Sequence, residues 1–357
     1  ALNRAIDAAV AVDLDERSGS WRPPPWAEGD EALNRELAQI VQSDTGNAQR
    51  LVRRFGADLL YVDKMGWASW DGKRFTLSLG EVGVVRRAQW VAYLMQTTEL
   101  TALRDIGPPP PGDLEKSYGE DSPEAKRIKR ERVADWEKEL GAFRRKAIDA
   151  GNSGKIAGML EMAKPDLSVT ADDIDQRPYL LNLPNGLIEM NRREEVAAWK
   201  AAAAKRRAAY DGCGDPDPDP EPPPWTLAEH RREERLTRLA AASYRPDAAC
   251  PRFEAFIAEI LPDEAVRAFV RRLLGYCLLG LIDEQRCVVF WGSGKNGKSV
   301  LVDTIRHVMG DYAATVPAGL FLEKRNDDPD KPRPSLAKLM ARRVAFMSEP
   351  KRGAKLD

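Results

Sequence analysis

The eight residues Gly292-Ser293-Gly294-Lys295-Asn296-Gly297-Lys298-Ser299 constrain this chain more than any other stretch. An apolar run, Cys287 to Trp291, precedes them, and an amphipathic stretch, Val300 to Met309, follows. Strand, glycine-rich loop and helix in that order make a phosphate-binding loop. The three glycines let the backbone bend until several N–H groups face one anion. The start of the helix adds its positive end. Lys298 is placed to reach the β- and γ-phosphates of a nucleoside triphosphate, and the Ser299 hydroxyl to ligate Mg²⁺. Gly292 to Val300 is the expected nucleotide-binding set. A chance match in a chain of this length arises on the order of 1% of the time.

Such a loop works with an acidic residue at the end of a neighbouring strand, which holds or polarises Mg²⁺. Arg343-Val344-Ala345-Phe346-Met347-Ser348-Glu349 fits that part. The spacing leaves room for a helix over 300–309 and a Pro/Asp-rich loop over 326–334. Glu349 is then expected beside Lys298 as the second catalytic residue and beside Ser299 as a metal ligand. Its strand should lie parallel to Cys287–Trp291 in one sheet, because ligands of open α/β sheets collect at the carboxyl ends of strands. Many enzymes of this kind have two adjacent carboxylates here; Ser348 stands in one place, so Glu349 alone would anchor the metal and serve as base. A surface carboxylate after a core strand is the plainer alternative.

Composition sets outer limits. The 357 residues leave room for two or three domains. A net charge of −1 gives no global attraction to nucleic acid, so any such contact must be a local patch. Cys213, Cys250, Cys277 and Cys287 form no C-x-x-C pair and there are 2 histidines, so no zinc site is expected and the cysteines suit a reducing cytosol. No apolar run reaches the length of a membrane span, and no signal peptide is visible. The chain begins at Ala1 and stops at Asp357; the expectation is a piece of a longer protein, cut at both ends.

Along the chain, residues 1–30 read as a linker region: helix-like over Ala5–Leu14, then proline-rich around Pro23-Pro24-Pro25. Residues 31–56 read as helix, with Asp44 or Thr45 capping a second turn. Residues 59–76 carry a hairpin signal at Asp71-Gly72. A helix over 81–104 ends at four prolines between Gly107 and Gly112. A charged helix follows over 124–149, with Ile128, Trp136, Leu140 and Phe143 on one side. Lys126 to Lys146 holds nine basic and four acidic residues. A solvated face is the commoner reading of such a run, a DNA-facing surface the other. Residues 211–224 contain six prolines and five acidic residues and read as an extended linker or insertion. The stretch 225–284 reads as helical and leads to the motor at 285–357. Its apolar stripe (Val266, Phe269, Val270, Leu273, Leu274, Cys277) makes Cys277 a core filler.

With both nucleotide motifs in place, the chain resembles the phage/plasmid primase–helicase family, whose motor is a superfamily-three helicase. The Asn296-Gly297-Lys298-Ser299 core carries the likeness, as do Leu274-Gly275-Tyr276-Cys277-Leu278-Leu279-Gly280 and Tyr179-Leu180-Leu181-Asn182-Leu183-Pro184-Asn185-Gly186. Tyr244-Arg245-Pro246-Asp247, Cys250-Pro251-Arg252-Phe253 and Asp44-Thr45-Gly46-Asn47 are similar to further segments of that family. The resemblance covers about residues 43–357. Residues 191–230 look like an insertion, and the chain stops before the family's sensor residue, DNA-contacting motif and arginine finger.

The resemblance implies an α/β P-loop NTPase fold of AAA+ type, with a partial parallel sheet, preceded at 31–210 by a mostly helical pre-helicase domain. It implies ATP and Mg²⁺, single-stranded DNA as partner, a homo-hexameric ring, a role in phage or plasmid DNA replication in the bacterial cytoplasm, and a possible primase fusion. Two other readings stay open: a P-loop ATPase that loads or packages without unwinding, and a non-catalytic nucleotide- and DNA-binding platform. A nucleotide kinase is disfavoured, since no arginine-rich lid is discernible after the loop.

Overall fold

The computed structural model describes residues 23–119, 122–209, 225–284, 287–292, 294, 296–320 and 338–347. The chain divides into two units, Ala1–Ala171 and Asp172–Asp357. The expected helix at Ala5–Leu14 and the acidic proline tract lie outside the described residues. Among the described residues no helix is long and apolar enough to cross a membrane.

In the first unit, α1 (Glu31–Ala38) and α2 (Asp44–Phe55) are separate helices. Asp30 caps the first, accepting from Leu33 N at 2.8 Å. Ser43 caps the second, accepting from Gly46 N at 3.0 Å. The expectation of Asp44 or Thr45 was one or two residues late: a serine in extended backbone satisfies the orphan N–H and leaves Asp44 in the first turn of the helix. The hairpin follows as β1 (Leu59–Val62), β2 (Gly66–Trp70) and β3 (Phe75–Thr76). Asp71 closes its second turn by accepting from Lys73 N and Arg74 N, each at 2.9 Å, with Gly72 at φ +92°.

Helix α3 (Gly80–Leu94) lies on β2, and Gly80 permits the approach: a Cβ there would stand 1.9 Å from the Trp67 carbonyl oxygen. A π-helical turn, Met95–Glu99, joins α3 to α4 (Leu100–Ile106). Then come α5 (Asp113–Ser117), the long α6 (Pro123–Asp149), α7 (Ser153–Leu167) and β4 (Ser168–Val169). The sheet order is β3-β2-β1-β4, with β4 parallel to β1.

Inside this unit sits an ionic cluster. Arg50 Nε donates to Glu99 Oε2 at 2.7 Å and Arg54 donates to Glu99 Oε1 at 2.9 Å. Both partners of the first pair are fully buried. Arg50 also closes the end of α1, donating to the carbonyls of Leu37 at 2.9 Å and Ile40 at 2.7 Å. The π turn, a common device for re-aiming a side chain, sets Glu99 between the two arginines.

The second unit opens with the hairpin β5 (Leu180–Leu183) and β6 (Gly186–Met190), in register Leu183 to Gly186. Helix α8 (Arg193–Ala208) follows, and β7 (Trp225–Ala228) returns to pair antiparallel with β6. Residues 191–224 are therefore an excursion from one sheet rather than a joint between separate bodies. The expected helix over 225–284 is also corrected. It begins as β7, and helix starts only at α9 (Pro251–Ile260) and α10 (Glu264–Cys277). The residues that replace it form backbone bonds with neighbours, such as Ala240 N to the Asn182 carbonyl at 2.9 Å. The unit ends with α11 (Lys298–Met309), β8 (Ala313–Val316) and β9 (Val344–Met347). Its core joins Leu181, Leu183 and Ile188 to Leu301, Ile305 and Met309.

Candidate nucleotide-binding site

The phosphate loop is built from α11 backwards. Gly297 caps the helix at φ +78°, in the left-handed region. A Cβ there would stand 2.5 Å from Ile260 Cγ2 and 3.2 Å from the Phe256 ring. The apolar end of α9 is thus the floor of the loop, and only glycine fits over it. Gly294 has φ +98°. A Cβ on Gly292 would stand 1.8 Å from Asn296 Nδ2 and 3.0 Å from Lys298 Nζ. The loop closes on itself there: Lys298 Nζ donates to the Gly292 carbonyl at 2.9 Å. The first backbone bond of α11 is Leu301 N to the Gly297 carbonyl at 3.0 Å. The N–H groups of Lys298, Ser299 and Val300 therefore lie outside the helical ladder. Ser299 and Val300 are exposed.

Gly292, Gly294, Asn296, Gly297, Lys298, Ser299 and Val300 are thus brought together by the turn and the helix start. Ser293, Lys295 and Glu349 lie outside the described residues. The strand leading to Glu349 is present as β9. Its partner is β8, parallel, in register from Ala313–Val344 to Val316–Met347. The expected strand at Cys287–Trp291 is not formed, and β9 does not pair with it. These residues have no regular structure, with Val289 79% and Trp291 89% exposed. A parallel strand of that kind is held by neighbours on its sides and faces, and here β8 and β9 pair with each other.

A set of fasteners in the same unit went unread in the sequence. The Tyr312 hydroxyl accepts from Asn182 N at 3.1 Å. Arg343, one residue before β9, lies over the Tyr312 ring at 4.5 Å and donates to the Leu180 and Leu278 carbonyls. Burial lowers the Arg343 pKa, and burial raises that of Tyr312, offset in part by Arg343. Asn185 exchanges two bonds with the Tyr244 backbone, at 2.7 and 3.0 Å. Asn182 and Asn185 therefore tie the β5–β6 hairpin to residues 238–244 and to Tyr312. The signal was present as the Asn-x-x-Asn-Gly stretch, but its partners lie far along the chain.

Comparison with known proteins adds the setting. The family described as D5 N terminal like matches residues 48–262, more than half of the chain. A protein of Acanthamoeba polyphaga mimivirus named "Putative helicase" is 34% identical over 96 residues, which is 27% of this chain and 10% of that protein. The chain thus spans only a small part of the length of that curated relative.

Proposed function

Because the chain belongs to the D5 N terminal-like family, the pre-helicase part of phage and plasmid primase–helicases, we propose that it couples that domain to an ATP-dependent DNA helicase motor. The observation that carries this is the loop itself: Gly292, Asn296 and Lys298 converge at the start of α11, over the floor of Phe256 and Ile260. The residues fit a triphosphate. The N–H groups of Lys298, Ser299 and Val300 would face its oxygens, and the Lys298 ammonium would swing from the Gly292 carbonyl to the β- and γ-phosphates. The Ser299 hydroxyl, exposed in the first turn, would ligate Mg²⁺. Bound Mg²⁺ would neutralise charge on the phosphates. Glu349, two residues past β9, is the proposed metal anchor and base for the attacking water. In the helicase reading, hydrolysis drives movement along single-stranded DNA, and the ring of six subunits belongs to the same proposal.

Lys298→Ala tests it. The ammonium contact is worth about 1.5–3 kcal/mol as a charge-assisted hydrogen bond, so binding of a fluorescent ATP analogue should weaken by at least about tenfold. Wild-type affinity in the purified variant would remove the assignment. Tight nucleotide binding by the parent, without DNA-stimulated turnover in the complete protein, would favour the non-catalytic platform.

A further inference from the structure

Helix α6 carries an excess of exposed basic residues on its outward face. Arg127, Arg130, Lys138, Arg144 and Arg145 are exposed and recur along its outward stripe, with one acidic residue, Glu137, among them. Glu131, Asp135 and Glu139 are exposed along one border, while Phe143 and Ala147 face the core. A merely solvated helix gains most from mixing signs at i,i+4; here Arg127 and Arg130 stand three apart, a like-charge spacing that is unfavourable. Arg127 pairs with Glu131 at 3.2 Å. Among the described residues no ion pair engages Arg130, Lys138, Arg144 or Arg145. An open cleft of about 480 Å³ flanks the stripe, lined by Lys126, Lys129, Arg130, Val133, Ala134 and Glu137.

Gly141 adds a second observation. A Cβ there would meet only Arg145 Nη1, at 3.5 Å, an ordinary contact. Nothing within the unit asks for glycine, yet glycine inside a helix is less favourable than alanine. With Ala134 it leaves the middle of the stripe low, so that an outside group can come close to the helix between the basic side chains.

From these we infer that the outward face of α6 is a binding surface for the sugar–phosphate backbone of duplex DNA. Arg127 to Arg145 spans about 27 Å at 1.5 Å per residue, enough to reach both backbones across a groove about 12 Å wide. The stripe carries no aromatic residue: Trp136 is half-buried and Phe143 buried. It lacks the stacking platform that single-strand binders add to basic grooves, so the contact is to phosphates and independent of sequence. The inference rests on the reading of the chain as part of a DNA-acting motor, and it assigns duplex engagement to the first unit.

The experiment measures anisotropy of a labelled random-sequence duplex with the whole chain, across a salt series. The variant R130Q/K138Q/R145Q keeps helix-forming side chains, and circular dichroism checks its fold. It should bind at least about tenfold more weakly at low salt, with a log–log salt slope shallower by about 2.7 for three lost phosphate contacts. D135N/E139Q, on the acidic border, should bind as tightly as the parent or tighter. A folded triple variant that binds the duplex like the parent overturns the inference, as does one whose binding of a single strand of equal length falls more than its binding of the duplex. ATP-analogue binding is read in the same samples. Its loss in Lys298→Ala with duplex binding intact bears on the motor alone, and the converse in the triple variant bears on α6 alone.

Discussion

Arg50 and Glu99 are fully buried together in the first unit, while in the second Val289 and Trp291, both apolar, stand 79% and 89% in solvent beside the phosphate loop. The first unit places charge inside and covers it on every side. The second exposes apolar groups beside the loop itself, and its core is tied by single polar contacts of Tyr312, Asn182 and Arg343, the last a cation held by backbone carbonyls and a ring. A buried ion pair left whole adds little stability, but one left half-made is expensive. Removal of one polar fastener costs far less. The first unit should therefore respond to mutation as an all-or-none scaffold. The second should yield locally around the loop, as ligand-responsive regions do.

The largest test of this contrast is Glu99→Ala. It strands Arg50 and Arg54 in the interior and should destabilise the first unit by about 3–5 kcal/mol. Urea unfolding followed by hydrogen exchange should place the loss in residues 31–167, with exchange around α11 unchanged. A loss below about 1 kcal/mol would mean that water reaches the cluster, and the contrast between the units would fall.

Gly297→Ala comes next. The left-handed cap and the close Ile260 contact together make about 1–3 kcal/mol of local strain. Faster exchange over α9 and the start of α11 should accompany at least about tenfold weaker nucleotide binding, while the first unit melts as before. Parental nucleotide affinity in this variant would show that the loop does not need its turn. Tyr312→Phe is smaller: it removes the acceptor for Asn182 N and should cost about 1–2 kcal/mol, read as a lower unfolding midpoint for the second unit only.

The parts legible in advance were those set by neighbours in sequence. The Asp71-Gly72 turn, the stop at Gly107 and the α6 periodicity all follow from residues a few places apart. The glycines of the loop were legible because their spacing encodes a turn. What stayed hidden depends on distant partners. Nothing within the 81–104 helix marks Glu99 as buried; the π turn sets it between Arg50 and Arg54. Trp225 to Ala228 pair with β6 across the whole 191–224 excursion, which no local signal announces. Cys287–Trp291 reads as a strand on composition alone, but a strand needs a ladder, and β9 pairs with β8 instead.

The smallest effect concerns Asp175, which sits at φ +54° in the second unit. Its carboxylate accepts from Thr237 N at 2.7 Å and from the Thr237 hydroxyl. Burial raises its pKa above the ordinary 3.8, and the bonds from Thr237 and the charge of Arg238 hold the rise back. The sign follows from linkage. A carboxyl with a raised folded pKa binds its proton more tightly in the folded state, so the second unit should lose stability as pH climbs from 3.8 through the folded value. Most paired carboxylates act in the other sense, so this contribution appears as a difference between the parent and Asp175→Asn. The asparagine still offers an oxygen to Thr237 N and has no charge to desolvate. The parent should lose stability relative to the variant across that window, with a flat difference above it, when thermal midpoints of the second unit are compared over a pH series. A difference that grows in the parent's favour with rising pH would mean that Thr237 and Arg238 outweigh burial, and that this unit also holds a charge in place as the first one does.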